Sequence, residues 1–442
     1  MLKPFQQHID SKLPFLKDKK LLIAISGGID SVVLTHLLKL SHYNISLAHC
    51  NFNLREKESN LDEKFVKNLA QNLDINYYTI SFETEKYAAQ NKLSIQMAAR
   101  ELRYEWFEKI RQENNLDYIL TAHHKDDVLE TFLINFTRGT GLEGLTGIPE
   151  TNGYVVRPLL NFTREEIEFF AKNNSIKWRE DQSNTSTKYF RNKIRHKIIP
   201  ILKELNSNLM DSFDNTLTNL NESQQIINDK ISDLKDKIII TEEGTLKLKI
   251  EQIKELSNPK AYLFQLLKGY GFTEWNDISN LLNAQSGKQI QSKTHRVIKD
   301  RSYLLLTKLN CDTHNLNYKI DAKTNSFENS EFKLLFKNSK EHLPSNSSNS
   351  IVYIDKNLLN YPLNVRKWEK GDYFYPIGLG GKKKLSKFFK DEKMSILEKE
   401  KTWLLCTELN EIIWVIGKRL DNRFKITDKT TQTLKITHEK IN

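Results

Sequence analysis

The sequence predicts an α/β fold: an N-terminal domain built on a parallel sheet, a mostly helical middle domain and a small α+β C-terminal domain. Short apolar segments alternate with longer segments of helical periodicity between residues 19 and 135, which is the pattern of a parallel α/β sheet. Helical segments dominate residues 206–282, and strand-like apolar runs return after residue 350. With 442 residues and roughly 150 residues per domain, we expect domains at 1–210, 211–310 and 350–442 and a linker region at 311–349.

The first predicted strand, residues 21–25, is apolar throughout, and a helix over 30–40 follows it. Further strands are predicted at 45–50, 77–80 and 118–122, and the intervening helices at 58–73, 94–113 and 126–137. Right-handed crossovers between parallel strands place a ligand site at the carboxyl ends of the strands. The segment 157–205 is expected to be irregular and then helical, packing back over the sheet.

Later elements follow the same periodicity rules. We predict a helix over 206–237, strands at 238–241 and 246–250, a helical pattern over 258–282, a loop at 344–350 and strands at 351–354, 404–407 and 412–416.

Composition narrows the class of protein. The chain carries 67 Lys and Arg against 56 Asp and Glu, a net charge of +11, which favours a polyanionic partner. Its three cysteines, Cys50, Cys311 and Cys406, are too far apart for a CxxC pair and odd in number, which argues against a disulfide framework. No apolar run approaches the roughly 20 residues of a membrane span. We therefore expect a cytoplasmic protein with no membrane segment.

The loop after the first strand carries the strongest chemical signal. It reads Ser26, Gly27, Gly28, Ile29, Asp30 and Ser31, at the point where a buried strand meets a helix. Glycines let backbone N–H groups and the positive helix end converge on an anion, so we expect a phosphate there, with Asp30 holding Mg²⁺ on it. A tight turn with an ordinary helix cap is the alternative. No Walker A pattern occurs, which disfavours a motor or a GTPase.

A second cluster ends the strand at 118–122 and opens the next helix. His123 and His124 precede Asp127 and Glu130, which lie three residues apart on one helical face. A metallohydrolase of the HD type could use such a set of residues, but that interpretation leaves the glycine loop unexplained. Acidic residues also simply favour a helix N-terminus.

Two further groups are candidates for binding ATP or tRNA. His49, Asn51 and Arg55 follow the second strand, where adenine or ribose is recognised in nucleotide-binding sheets, although a structural histidine is as common there. Arg100 and Arg103 suit phosphates of ATP or tRNA, or an exposed surface.

Basic residues suited to RNA form the remaining candidates. They are Arg191 and Arg195 with His196 and Lys197, and Lys383, Lys384 and Lys387 around Phe388 and Phe389. Solubilising surface is the alternative in both places, and we expect the two phenylalanines to lie in the core.

The loop 26–31 resembles the PP-loop of the ATP pyrophosphatase superfamily, adenine nucleotide α-hydrolase-like enzymes that cleave ATP to AMP and pyrophosphate. Within that superfamily the chain resembles the tRNA(Ile)-lysidine synthetase family along nearly its whole length. The matching blocks are residues 49–55, 96–100, 103–104, 121–131, 138–148, 157–159, 181–195, 366–389 and 414–417. Phe52 stands where many members carry a second histidine, so no role as a base is assigned to that position.

The resemblance implies a ligase that joins free L-lysine to the wobble cytidine of the CAU-anticodon tRNA(Ile), through an adenylated cytidine. It implies ATP and Mg²⁺ bound by residues 26–31, His49, Asn51 and Arg100, with Asp30 on the metal. We expect Asp127, Glu130, His123 and His124 to bind lysine and serve catalysis. Arg191, Arg195 and the C-terminal lysines would bind tRNA.

Two other classes stay open from the residues alone. A different PP-loop enzyme would amidate or thiolate its substrate, although the lone Cys50 gives thiolation little support. An RNA-binding module without catalysis would explain only the charge. The oligomeric state, a homodimer among the choices, is not determined by the sequence.

Overall fold

The computed structural model describes residues 1–54, 57–180, 190–242, 244–309, 317–339 and 349–441. Arg55, Cys311 and the motif residues 181–189 lie outside these ranges. The chain divides into two compact units, Met1–Asp229 and Lys230–Asn442, and each is described by itself. No helix in the described ranges is both long and apolar enough to cross a bilayer.

The first unit is built on a six-stranded sheet. Its strands run in the order β3-β2-β1-β4-β6-β5, and all neighbours are parallel except β5 with β6. The strands are β1 (Lys20–Ala24), β2 (Asn44–Asn51), β3 (Asn76–Ser81), β4 (Tyr118–Leu120), β5 (Thr151–Asn152) and β6 (Val155–Val156).

Helices cover both faces of this sheet. They are α1 (Leu2–Lys12), α2 (Ile29–Leu40), α3 (Lys57–Leu73), α4 (Thr84–Asn91), α5 (Ile95–Glu113), α6 (Lys125–Thr137), α7 (Leu142–Leu145), α8 (Arg164–Asn173), α9 (Phe190–Lys193), α10 (Ile199–Leu205) and α11 (Leu209–Ile238). A π-helical turn, Ile194–Ile198, joins α9 to α10, and α11 continues into the second unit.

Alternation along β1 explains the two-faced core. Leu21 and Ile23 pack in one cluster with residues of α2 and α8, whereas Leu22 packs on the other face with Trp106 and Phe107 of α5. Successive side chains of a strand point to opposite faces, so a wholly apolar strand must lie between two helical layers. The predicted parallel sheet is confirmed, and its carboxyl ends meet at one edge, where the loop 26–31 lies.

The second unit begins with an antiparallel sheet of order β7-β8-β11-β10-β9 and three helices. They are β7 (Ile239–Glu242), β8 (Thr245–Lys249), α12 (Ile250–Lys254), α13 (Pro259–Leu267), α14 (Trp275–Asn280), β9 (Gln289–Gln291), β10 (His295–Asp300) and β11 (Tyr303–Lys308). The helical pattern over 258–282 is interrupted because Gly271 adopts a φ of 75° between α13 and α14.

Two further sheets, β12-β16-β19-β20-β21 and β13-β14-β22-β15, share a core around Trp414. Their members are β12 (Asn317–Ile320), β13 (Ser326–Glu328), β14 (Phe332–Ser339), β15 (Ile351–Asp355), β16 (Leu363–Lys367), β19 (Trp403–Cys406), β20 (Ile412–Val415), β21 (Arg419–Leu420) and β22 (Thr433–Lys440). A small hairpin and two helices complete the unit: β17 (Tyr373–Phe374), β18 (Lys383–Lys384), α15 (Leu385–Asp391) and α16 (Ile396–Lys401).

The expected linker 311–349 is wrong for residues 317–339, which form β12, β13 and β14. Phe332, Leu334 and Phe336 alternate into the core, and β14 pairs with β22 from Phe332 opposite Lys440 to Ser339 opposite Thr433. The partner strand lies about a hundred residues further along the chain. The alternation of apolar residues in β14 and its hairpin with β13 are local features, whereas the pairing with β22 has no local signal.

Candidate active site

The loop between β1 and α2 forms one wall of the site. Gly27 has a φ of 90°, a conformation that favours glycine, and the chain then enters α2 with its N-terminal peptide groups facing the carboxyl edge. Ser31 Oγ donates to the Gly28 carbonyl oxygen at 2.9 Å, and Gly28 N donates to Ser26 Oγ at 3.3 Å. These bonds hold the loop open at a helix N-terminus, the geometry that suits a phosphate.

Asp30 is paired with an arginine that sequence reasoning missed. Arg164 Nη1 donates to Asp30 Oδ1 at 2.8 Å and to Oδ2 at 2.7 Å, while its Nε contacts Glu168 at 2.9 Å. Burial raises the Asp30 pKa, against the opposing charges of His124 and Arg164. Thr163 and Glu166 cap the start of α8, a signal readable in the sequence, but nothing local indicates a partner 134 residues away.

The carboxylates of Asp127 and Glu130 hold two guanidinium groups. Arg191 Nε donates to Glu130 Oε2 at 2.6 Å and its Nη2 to Asp127 Oδ1 at 3.1 Å. Arg195 Nη2 reaches Glu130 Oε2 at 3.0 Å and Asp127 Oδ1 at 3.3 Å, and its Nε also bonds to Glu130. Two groups that the sequence assigned to different ligands are thus joined in one ion cluster.

Exposure divides this cluster into an inner and an outer half. The Glu130 side chain is 1% exposed and that of Asp127 15%, whereas the arginines are 41% and 33% exposed. Burial favours the neutral acid, but the charges of His124 and Arg191 outweigh it and lower the Asp127 pKa. The cluster is therefore a buried dicarboxylate site covered by two cations that reach in from the surface.

The pKa values of the two histidines are shifted in opposite directions. Burial opposes a proton on His124, yet Asp126, Asp127 and Asp30 outweigh it and raise the His124 pKa. Its Nε2 lies 3.5 Å from Asp127 Oδ2 and 3.8 Å from Asp30 Oδ1. Burial lowers the His123 pKa to about 4, so that this imidazole is neutral near pH 7. His124 therefore links the acidic pair to the loop 26–31.

His49 and Asn51 lie at the end of β2 and are both engaged by the protein. His49 Nδ1 donates to the Ile25 carbonyl oxygen at 2.9 Å, and burial lowers the pKa of this histidine. Asn51 Nδ2 bonds to Asn60 at 3.1 Å and to Glu63 at 2.9 Å. These contacts are those of a structural role, and nucleotide binding by either residue stays a prediction.

Three arginines supply positive charge without an acidic partner among the residues described. Arg100 lies 5.0 Å from the Tyr104 ring and Arg103 5.2 Å from the Phe52 ring, both on α5. Arg157 is buried, donates from Nη1 to the Pro149 carbonyl oxygen at 2.6 Å and leaves its Nε without a hydrogen-bond partner. An anion would complete Arg157, since a buried donor without an acceptor is costly, whereas Arg100 and Arg103 are exposed and water can solvate them.

The C-terminal basic cluster is partly engaged. Phe388 and Phe389 are buried, which confirms the prediction that they lie in the core. Lys383 Nζ pairs with Asp391 at 2.8 Å, whereas Lys384 and Lys387 are exposed. Of the three predicted RNA-binding lysines, two therefore face solvent.

Two alternatives can be compared with the site. Within the described ranges, no group of three or more His, Cys, Asp or Glu side chains is arranged to hold a metal ion, as an HD-type metallohydrolase would require. Burial raises the Cys50 pKa to about 12, so this cysteine is a thiol near pH 7. A thiolate nucleophile at Cys50 is therefore disfavoured.

Comparison with known proteins identifies the family. Residues 1–202 match the PP-loop domain, residues 241–309 the TilS substrate binding domain and residues 363–436 the TilS substrate C-terminal domain. A tRNA(Ile)-lysidine synthase of Bacteroides thetaiotaomicron is 41% identical over 97% of this chain and 97% of its own length. The chain belongs to the tRNA(Ile)-lysidine synthase family.

Two more family members support this assignment. The tRNA(Ile)-lysidine synthase of Parabacteroides distasonis is 37% identical over 98% of this chain and 99% of its own length. That of Porphyromonas gingivalis W83 is 36% identical over 93% of this chain and 92% of its own. Membership in the tRNA(Ile)-lysidine synthase family makes the chain an ATP-using ligase, and the resemblance stated from the motifs is confirmed.

Proposed function

We propose that this chain joins free L-lysine to the wobble cytidine of the CAU-anticodon tRNA(Ile), forming lysidine and converting ATP to AMP and pyrophosphate. The tRNA then reads AUA and accepts isoleucine. The observation that carries the proposal is the buried pair Asp127 and Glu130, which already holds two organic cations beside the loop 26–31. Such a site suits the ammonium groups of lysine, and a tRNA substrate places the enzyme in the cytoplasm.

In the first step, the cytosine ring carbonyl oxygen attacks the α-phosphate of ATP and pyrophosphate leaves, giving an adenylated cytidine. The peptide groups of residues 26–31 stabilise the departing pyrophosphate, because they are fixed donors at a helix N-terminus. Asp30 presents a carboxylate at the mouth of this loop and its side chain is 26% exposed, which suits Mg²⁺, although both oxygens accept from Arg164 in this structure and would have to exchange that cation for the metal. When bound there, Mg²⁺ would neutralise charge on the phosphates.

In the second step, the lysine ε-amine attacks the activated ring carbon and AMP leaves. A free lysine amine has a pKa of about 10.4, so roughly one molecule in two thousand is neutral at pH 7. Asp127 and Glu130 orient the ammonium groups. Removal of water from the site favours loss of the proton from the attacking ammonium, against the charge of the carboxylates, and one of these two carboxylates accepts that proton.

The tRNA contacts are assigned to basic surface. Lys384 and Lys387 of the C-terminal cluster face solvent, and Lys383 can join them by leaving Asp391. The net charge of +11 supports phosphate contacts of this kind.

The test is to incubate the full chain with ATP, labelled lysine and a transcript of the isoleucine tRNA. Lysine transfer to the RNA is expected. Pyrophosphate release without lysine transfer would favour a different PP-loop enzyme, and RNA binding without ATP turnover would favour a binding module. Asp30→Asn should abolish pyrophosphate release, while the matched change Asp10→Asn, at an exposed position of α1, should leave it intact.

A further inference from the structure

Arg191 and Arg195 occupy the site that the proposed function gives to lysine. The guanidinium groups bind the same two carboxylates, Asp127 and Glu130, through Nε and Nη2 of each arginine. A lysine ammonium cannot take those carboxylate oxygens while both guanidinium groups hold them. Lysine binding therefore requires the arginines to give up contacts.

An anion can draw Arg191 and Arg195 outward. Their side chains are 41% and 33% exposed, and their hydrogen bonds to other described residues use Nε and Nη2, which leaves both Nη1 atoms without a partner among those residues. An outward-facing pair of guanidinium groups is a good receptor for phosphate oxygens. The surface side of the cluster is thus prepared for a phosphate, and its inner side for an ammonium group.

The backbone that carries the arginines is suited to rearrange. Arg195 lies in the π-helical turn Ile194–Ile198, which is closed by the wider bond from Ile199 N to the Ile194 carbonyl oxygen. Such turns interrupt regular helical hydrogen bonding and occur frequently at functional sites. Arg191 lies in the four-residue helix α9, which is too short to be stable on its own.

We propose that a phosphate of the RNA substrate binds Arg191 and Arg195 and withdraws them from Asp127 and Glu130, which opens the lysine site. The proposal rests on the proposed function. Each guanidinium group exchanges a carboxylate for a phosphate oxygen, and each carboxylate exchanges a guanidinium for an ammonium group. Once the arginines have moved, every charged group has a partner only when RNA and lysine are both bound.

The alternative is a permanent clamp, in which the arginines only fasten α9 and the π-helical turn to α6. The two cases differ in thermodynamic linkage. An exchange makes RNA raise the affinity for lysine and lysine raise the affinity for RNA by the same factor, whereas a clamp gives no coupling.

The experiment is calorimetric titration of L-lysine into the full chain, with and without saturating tRNA transcript. An ATP analogue with a methylene bridge between the α- and β-phosphates is present to prevent turnover. The transcript is expected to lower the Kd for lysine on the order of tenfold or more. Arg191→Gln should bind lysine more tightly without RNA and lose most of the coupling, and Arg191→Lys, which keeps a cation in the site, should retain it.

Lys193→Gln is the matched control, because it removes a positive charge from the same helix at an exposed position. It should leave the coupling unchanged. Equal lysine affinity with and without RNA, or full coupling in Arg191→Gln, would overturn the exchange while the lysine site stands. Lysine transfer to tRNA in the activity assay with no dependence on Asp127 or Glu130 would overturn the site assignment and the exchange together. Arg195→Gln gives a second test if Arg191→Gln does not fold.

Discussion

The ion cluster around Glu130 makes a prediction about stability that can be worked from its geometry. Glu130 is 1% exposed and accepts bonds from Arg191 Nε at 2.6 Å and Arg195 Nη2 at 3.0 Å, besides Arg195 Nε. Replacing both arginines by glutamine leaves a buried carboxylate without its counterions. Breaking a buried ion pair in this way lowers the free energy of unfolding by about 3–5 kcal/mol.

The reverse change has a smaller cost. In Glu130→Gln the two guanidinium groups lose an acceptor, but they are partly exposed and water can solvate them. The expected loss is about 1.5–3 kcal/mol, the range for hydrogen bonds to a charged group. Adding Glu130→Gln to the arginine double variant removes the unpaired charge. The triple variant should therefore be more stable than the double variant by about 1–2 kcal/mol, although it carries one more substitution.

The assay is urea unfolding of the full chain, followed by far-UV circular dichroism and compared by midpoints, since a chain of two units need not unfold in one step. Lys193→Gln reports the effect of losing a surface charge and should shift the midpoint little. A triple variant as unstable as the double variant, or less stable, would refute the view that the buried carboxylate is the source of the cost.

Three further predictions concern separate parts of the site. Gly27→Ala should raise the KM for ATP and destabilise the chain by about 1 kcal/mol or more, because an L side chain at a φ of 90° is strained. An unchanged KM would contradict the role of the loop 26–31 in binding ATP. The pKa of His124 is raised in the folded protein, so its protonation stabilises the fold at pH values below the unfolded pKa near 6.5, and this contribution is lost as the pH rises through the folded pKa. His124→Gln should therefore flatten the dependence of the urea midpoint on pH between 6 and 8. Arg157→Gln should raise the steady-state KM for ATP or tRNA about tenfold, because its unpartnered Nε suits an anion. Arg111→Gln is the control, since the guanidinium of Arg111 is already paired with Glu108, and it should leave both KM values unchanged. Equal effects of the two variants would count against an anion at Arg157.

The elements that depend on neighbouring residues, through apolar runs, helical periodicity and glycines, were predicted from the sequence. The apolar strand at 21–25 and the helix after the glycine loop are observed as β1 and α2, within a residue at each end. The pairing of Arg164 with Asp30 and the strands at 317–339 were not predicted. The Arg164–Asp30 pair and the pairing of β14 with β22 join residues about a hundred positions apart or more, which only the folded chain brings together.

The same distinction holds within the site. Spacing on one helical face placed Asp127 beside Glu130 and is confirmed by the shared guanidinium groups. It gave no sign that Arg191 and Arg195 would cover them, because a basic cluster in a sequence looks the same whether its charges face solvent or a buried acid. Roles in binding lysine, ATP and tRNA stay predictions for these residues.

The position of β22 has a consequence for how the protein is made. This strand, Thr433–Lys440, lies between β14 and β15 and pairs with both, so it is an interior strand of its sheet. A nascent chain emerging from the ribosome can complete the N-terminal parallel sheet early, but β14 and β15 have no common partner until residue 440 has been synthesised. A stop codon before Thr433 would remove β22 and leave the facing edges of β14 and β15 unpaired, and we expect cellular proteases and chaperones to remove such a species.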